Sequence, residues 1–114
     1  MEFDTRAIDD ATTVIQMTGR LDIDGANAVD NRFAFAAATR KLNVIVDLSG
    51  ISFLASIGIR LLVTNARGQQ GRGGKFVLAA PTENVRKVLE TAGIDQIIPL
   101  HDTVEAALSA MGNS

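Results

Sequence analysis

The 114-residue chain has no cysteine, no tryptophan, no tyrosine and a single histidine. Without cysteine there is no disulfide, no zinc–thiolate site and no cysteine nucleophile. A disulfide-free chain fits the cytoplasm. The lone His101 has no second imidazole to complete a metal site, and catalysis would need a nucleophile and an orienting group beside it. The formal charge is −2, so no basic field invites nucleic acid or an anionic membrane. No apolar run is long enough to span a bilayer. The opening "MEFDTRAIDD" carries neither the basic nor the apolar region of a secretory signal. A soluble, cytoplasmic protein without a cofactor is expected.

What is present is a hydrophobic fraction of 46% against 21% charged residues, which predicts a packed domain over residues 1–114. Aliphatic side chains and alanine must fill its core. "TTVIQMT", Thr12 to Thr18, reads as a strand, and Glu2 to Ile8 as its partner across a turn at Asp9–Asp10. Asp24 is the expected N-cap of a helix with Ala26, Val29, Phe33 and Ala37 on one stripe. Val44 to Leu48 is apolar on both alternating faces, as in a central strand covered on both sides. A loop "SGISFLA" then leads to a helix from near Ser56 that fades at Gly68 or Gly71. Lys75 to Ala80 is a further strand. Thr82 caps a third helix, with Gly93 as its stop. Gln96 to Leu100 reads as an edge strand containing Pro99. Asp102 opens the last helix, whose stripe is Val104, Ala107, Leu108 and Met111. Strand–helix–strand units pair in parallel through right-handed crossovers. The expectation is therefore an α/β domain: a mixed, mostly parallel sheet of about five strands with about four helices.

The stretch "DLSGISFLASIGIRLL", Asp47 to Leu62, sets Ser56 at a strand-to-helix junction. One reading makes Ser56 only a helix cap, its oxygen accepting from the amide of Gly58 or Ile59. The other uses the free amides and positive dipole end of a helix N-terminus, where a phosphate on Ser56 would be well received. Gly58 then leaves room for a partner. Carboxyl-end loops of parallel strands are also where open α/β sheets present their sites.

The same stretch resembles the signature of STAS domains, those of sulfate transporters and anti-sigma-factor antagonists. The likeness runs from "VIQMTGRLD" to the final helix. It implies a STAS-like fold and a regulatory role without catalysis. In free-standing bacterial antagonists of this family a serine in an Asp-Ser-Ser-Gly loop is phosphorylated by the anti-sigma factor, itself a serine kinase. A serine phosphatase reverses the step, and the unphosphorylated form binds the anti-sigma factor. Carried over, Ser56 is the phosphoacceptor and Gly58 the loop glycine. Asp22, in "GRLD", matches the aspartate of the neighbouring loop. Ala55 replaces the acidic residue before the serine, and Ile57 the second serine. Arg20 stands where many antagonists are acidic. The expected partner face is Arg20, Asp22, Ile57, Gly58 and Arg60; Arg60, one turn into the helix after Ser56, reads equally as a solvated side chain, a partner contact or a contact to a phosphate on Ser56.

Two alternatives accompany that reading. The chain could be a STAS subunit of a stress-sensing or lipid-transport assembly, with Ser56 only a cap, or a small-molecule or nucleotide binder at the strand-end cleft. "GQQGRGGK", Gly68 to Lys75, is no phosphate loop, because Gln69 and Phe76 occupy the positions that need glycine and serine or threonine. Asp9, Asp10, Asp24 and Asp30 read as turn, cap and solvated positions rather than metal ligands.

Overall fold

A computed structural model describes residues 1–38 and 43–112, with the side chains of residues 34–38 and 112 excepted. The chain runs β1 (Glu2–Ala7), β2 (Thr12–Leu21), α1 (Ile23–Ala38), β3 (Asn43–Leu54), α2 (Ser56–Gly71), β4 (Lys75–Ala79), α3 (Glu83–Thr91), a 3-10 turn (Ile94–Gln96), β5 (Leu100–His101) and α4 (Val104–Gly112). The strands form one sheet in chain order. β1 is antiparallel to β2, and the remaining neighbours are parallel. The expected mixed α/β sheet with four helices is what the chain forms.

The turn between β1 and β2 is closed by Asp9, whose Oδ1 accepts from the amides of Ala11 and Thr12. The both-faced apolar pattern of β3 has its predicted cause. Val44, Val46 and Leu48 face a large core shared with Val29 and Phe33 of α1, Leu62 and Ala66 of α2, and Leu89 of α3. Ile45 faces the other way, into a smaller cluster with Val14, Val77 and Ala107 and Met111 of α4. Among the described residues, three helices thus cover one face and α4 alone covers the other. Phe33 meets Phe3 and Phe76 at ring-centroid distances of 6.2 and 6.0 Å. The side chain of Ala37, expected on the α1 stripe, lies outside those described.

Several boundaries differ from expectation, each for a local reason. The "SGISFLA" segment is not a loop. β2 continues to Leu21 and β3 to Leu54, pairing through Leu21 and Leu54 with register shifts on the way. Once one strand extends, the other supplies its hydrogen-bond partners. Asp24 is not the α1 cap. Helical residues begin at Ile23, and Asp22 caps them, accepting from the Gly25 amide at 2.9 Å. Gln96 to Leu100 is mostly not strand. After Gly93 adopts φ 73°, the chain makes the 3-10 turn that buries Ile94 and Ile98 before joining β4 for two residues. Asp102 is not the α4 cap. Thr103 Oγ1 accepts from Ala106, while Asp102 pairs with Arg86 of α3. Thr82 does cap α3, accepting from Val85.

Candidate functional site

The carboxyl ends of β2 and β3 lie side by side, and each leads into a helix. The Ala55 amide donates to the Leu21 carbonyl at 3.0 Å, tying the two strand-to-helix junctions together. The helices enter in the same way. Each carries glycine at its third residue, Gly25 in α1 and Gly58 in α2, pressed against the end of β2. A methyl group on Gly25 would collide with the Arg20 carbonyl oxygen. One on Gly58 would stand 2.7 Å from the Leu21 carbonyl oxygen and 2.8 Å from both Leu21 Cγ and Leu54 Cδ1. Gly58 is buried by its own fold. It sets helix-to-strand distance and offers no surface to a partner, contrary to the role expected for it.

The two helix starts differ in chemistry. Asp22 caps α1 with a carboxylate. Its bond from the Gly25 amide does most to hold the Asp22 carboxyl below the usual carboxylate range; desolvation opposes this, and Arg20 adds a hydrogen bond and a positive charge. At α2 the cap position belongs to Ala55, with φ −93° and ψ 170° and no side-chain cap bond. Ser56 is therefore not the N-cap; it is the first helical residue. The reason is register. Pairing of β3 to Leu54 and the Ala55–Leu21 bond leave the extended cap conformation to Ala55.

This shift frees the Ser56 hydroxyl. The side chain is exposed, and among the described residues it makes no hydrogen bond. The first helical bond closes from Ile59 to the Ala55 carbonyl, so the amides of Ser56, Ile57 and Gly58 have no partner within the helix. No acidic residue occupies the first turn. The combination is an unhindered hydroxyl at the positive end of a helix dipole.

The other expected site residues surround this point. Ile57 is half-buried and packs against the large core. Arg60 is exposed and lines a 270 Å³ cleft between α1 and α2, with Asp30, Ile57 and Thr64. Arg20 donates through Nε to Asp22 Oδ2 at 3.4 Å, and its guanidinium sits 4.3 Å from the centroid of Phe53. Phe53 is 41% exposed and Ile23 63% exposed. Both were missed in the sequence, Phe53 because its segment read as loop. As strand, its direct pairing with Arg20 was the available signal. His101 stands at the far sheet edge on β5, bonded through its carbonyl to the Ala80 amide.

Comparison with known proteins bears on this arrangement. The chain is 25% identical over 107 residues to the anti-sigma-F factor antagonist RsfB of Mycobacterium tuberculosis, an alignment spanning 94% of this chain and 87% of that one. An anti-sigma-factor antagonist (STAS) domain protein from Planctomyces limnophilus superposes with a TM-score of 0.85 at 25% identity, over 96% of this chain and 97% of that one. The unphosphorylated form of the anti-sigma factor antagonist SpoIIAA shares the fold, with a TM-score of 0.82 at 23% identity over 99% and 98% of the two chains. The family model of the STAS domain matches residues 2–107, from the first strand into the last helix. Both helix junctions lie inside that match, and the chain belongs to the STAS-domain family.

Proposed function

We propose that this protein is an anti-sigma-factor antagonist whose binding to a kinase-type anti-sigma factor is switched by phosphorylation of Ser56. The observation that carries the reading is the state of that side chain. Ser56 is exposed, unbonded among the described residues, and set where three amides lack helical partners. A phosphate adds a charge of about −1.5 to −2 and acceptor oxygens, which the dipole end of α2 tolerates in the free domain. In a complex the same charge must lose its water against a surface fitted to a neutral hydroxyl. Leaving a charge unpaired in an interface costs about 2–5 kcal/mol, roughly a thirtyfold to several-thousandfold loss of affinity.

On this reading the chain is a regulator and a kinase substrate, not an enzyme. A serine phosphatase returns it to the binding form. The protein works in the cytoplasm; among the described residues no helix is long and apolar enough to cross a membrane. Arg20, Asp22, Ile57 and Arg60 supply the contact face, with Phe53 added and Gly58 beneath it. The family resemblance and relatives such as RsfB support this assignment.

The test is phosphorylation with ATP and the anti-sigma factor, peptide mass spectrometry, and calorimetric affinity before and after. Phosphate is expected on Ser56, with binding lost. Phosphate mainly on Ser49 or Ser52, or equal affinity for both forms, would overturn the switch.

A further inference from the structure

Helix α2 contains Arg60 and Arg67 and no acidic residue over its 16 positions, although the chain as a whole is acidic. Ser56, Arg60, Thr64 and Arg67 follow one another at helical spacing and are all exposed. Residues three and four apart share a helix face, so these four form one solvent-facing stripe. Neither arginine has an ion-pair partner among the described residues. Helix α3 makes the contrast. Its Lys87 lies 3.7 Å from Glu83, and its Arg86 is paired with Asp102. Asp30 lines the cleft beside Arg60 but forms no ion pair with it.

Arg20 adds a further cation beyond the head of the stripe, at the strand ends joined by the Leu21–Ala55 bond. It is held on two sides. The ring of Phe53 supports one face of the guanidinium, and Asp22 engages only Nε. The terminal nitrogens stay available, and a guanidinium presenting them edge-on fits a carboxylate in bidentate fashion. Stacking also removes rotamer freedom before a partner arrives. Phe53 is 41% exposed, so the pair it forms with Arg20 lies at the surface, and arginine is among the residue types enriched where interfaces concentrate binding energy.

We infer that the stripe Ser56–Arg60–Thr64–Arg67, with Arg20 on its Phe53 platform, docks an acidic surface of a protein partner. The inference rests on the antagonist reading for the partner's identity, but the acidic chemistry follows from charge complementarity alone. It also deepens the switch. A phosphate on Ser56 lies one turn from Arg60 and competes for the cation that the partner's carboxylates use.

Two arms test it. In the first, the isotopically labelled chain is titrated with hexaglutamate, and with hexalysine as control, while amide NMR shifts are followed. Shifts are expected at Arg20 and along residues 56–67 with hexaglutamate only. They should vanish in Arg60→Glu/Arg67→Glu and at high salt. Shifts elsewhere, or shifts unchanged by the reversal, overturn the inference. In the second, affinity for the anti-sigma factor is measured. Single Arg→Gln changes at 20, 60 and 67 should each weaken binding about twofold to fivefold. The double reversal should weaken it at least about tenfold, with restoration by Glu→Lys changes on the partner. Thermal melts confirm that these exposed changes leave the fold intact. Binding of the anti-sigma factor untouched by the reversal overturns the inference and leaves the antagonist reading standing. Hexaglutamate shifts without any anti-sigma binding do the opposite.

Discussion

Replacing Gly58 by alanine sets two effects of opposite sign against each other. Helix propensity alone favours alanine over glycine by about 1 kcal/mol. Packing opposes it. The new methyl would stand 2.7 Å from the Leu21 carbonyl oxygen and 2.8 Å from Leu21 Cγ and Leu54 Cδ1. One of these neighbours is backbone and cannot rotate away. The Leu21 carbonyl also receives the Ala55 amide, so displacing it strains the tie between the two helix starts. Overpacking of this kind costs about 1–3 kcal/mol, and a rigid carbonyl puts the cost in the upper part of that range. The net expectation is a loss of about 1–2 kcal/mol. For a domain of this size that lowers Tm by roughly 4–8 °C. Calorimetry or circular dichroism melts, with urea unfolding as a second measure, read it directly. A Tm equal to or above wild type would refute the packing argument and show that the junction relaxes freely. Anti-sigma binding should fall in parallel, because the change moves Ser56 relative to Arg20.

Further substitutions probe the helix starts. Ala55 already has extended cap geometry without a capping side chain, so Ala55→Asp should stabilise the domain by about 1 kcal/mol, seen as a higher Tm; an unchanged Tm would mean that the amides are already satisfied. Ser56→Ala should shift stability by no more than about 0.5 kcal/mol, since Ser56 does not cap, while blocking phosphorylation; a large drop in Tm would restore the capping role. The Asp22 carboxyl is held below its usual range in the folded state, so its contribution is present above the unfolded value and fades as pH falls through the folded one. Asp22→Asn should keep the α1 cap yet flatten that part of the acid-side stability profile, measured by melts across acidic pH; an unaltered profile would refute the assignment.

Much of the architecture was legible without coordinates, because it depends on local pattern. The two-faced apolar run at Val44 to Leu48 marked a strand covered on both sides. The Thr82 cap and the Gly93 stop bracketed α3. Alternating strand and helix signals required parallel pairing. The motif around Ser56 marked a strand-to-helix junction for the same reason: strand, junction and helix are contiguous in the chain. Sequence also supplied the charge pattern, including a helix with arginines and no acids. Tertiary structure decided what contiguity could not. Whether Ser49 to Leu54 is loop or strand depends on β2, more than thirty residues earlier, offering hydrogen-bond partners out to Leu21. That long-range pairing moved the cap from Ser56 to Ala55 and so freed the hydroxyl. It set Phe53 beneath Arg20, which turned an apparent loop phenylalanine into a platform. It also buried Gly58 against Leu21, because close approach is a property of two segments and is written in neither one.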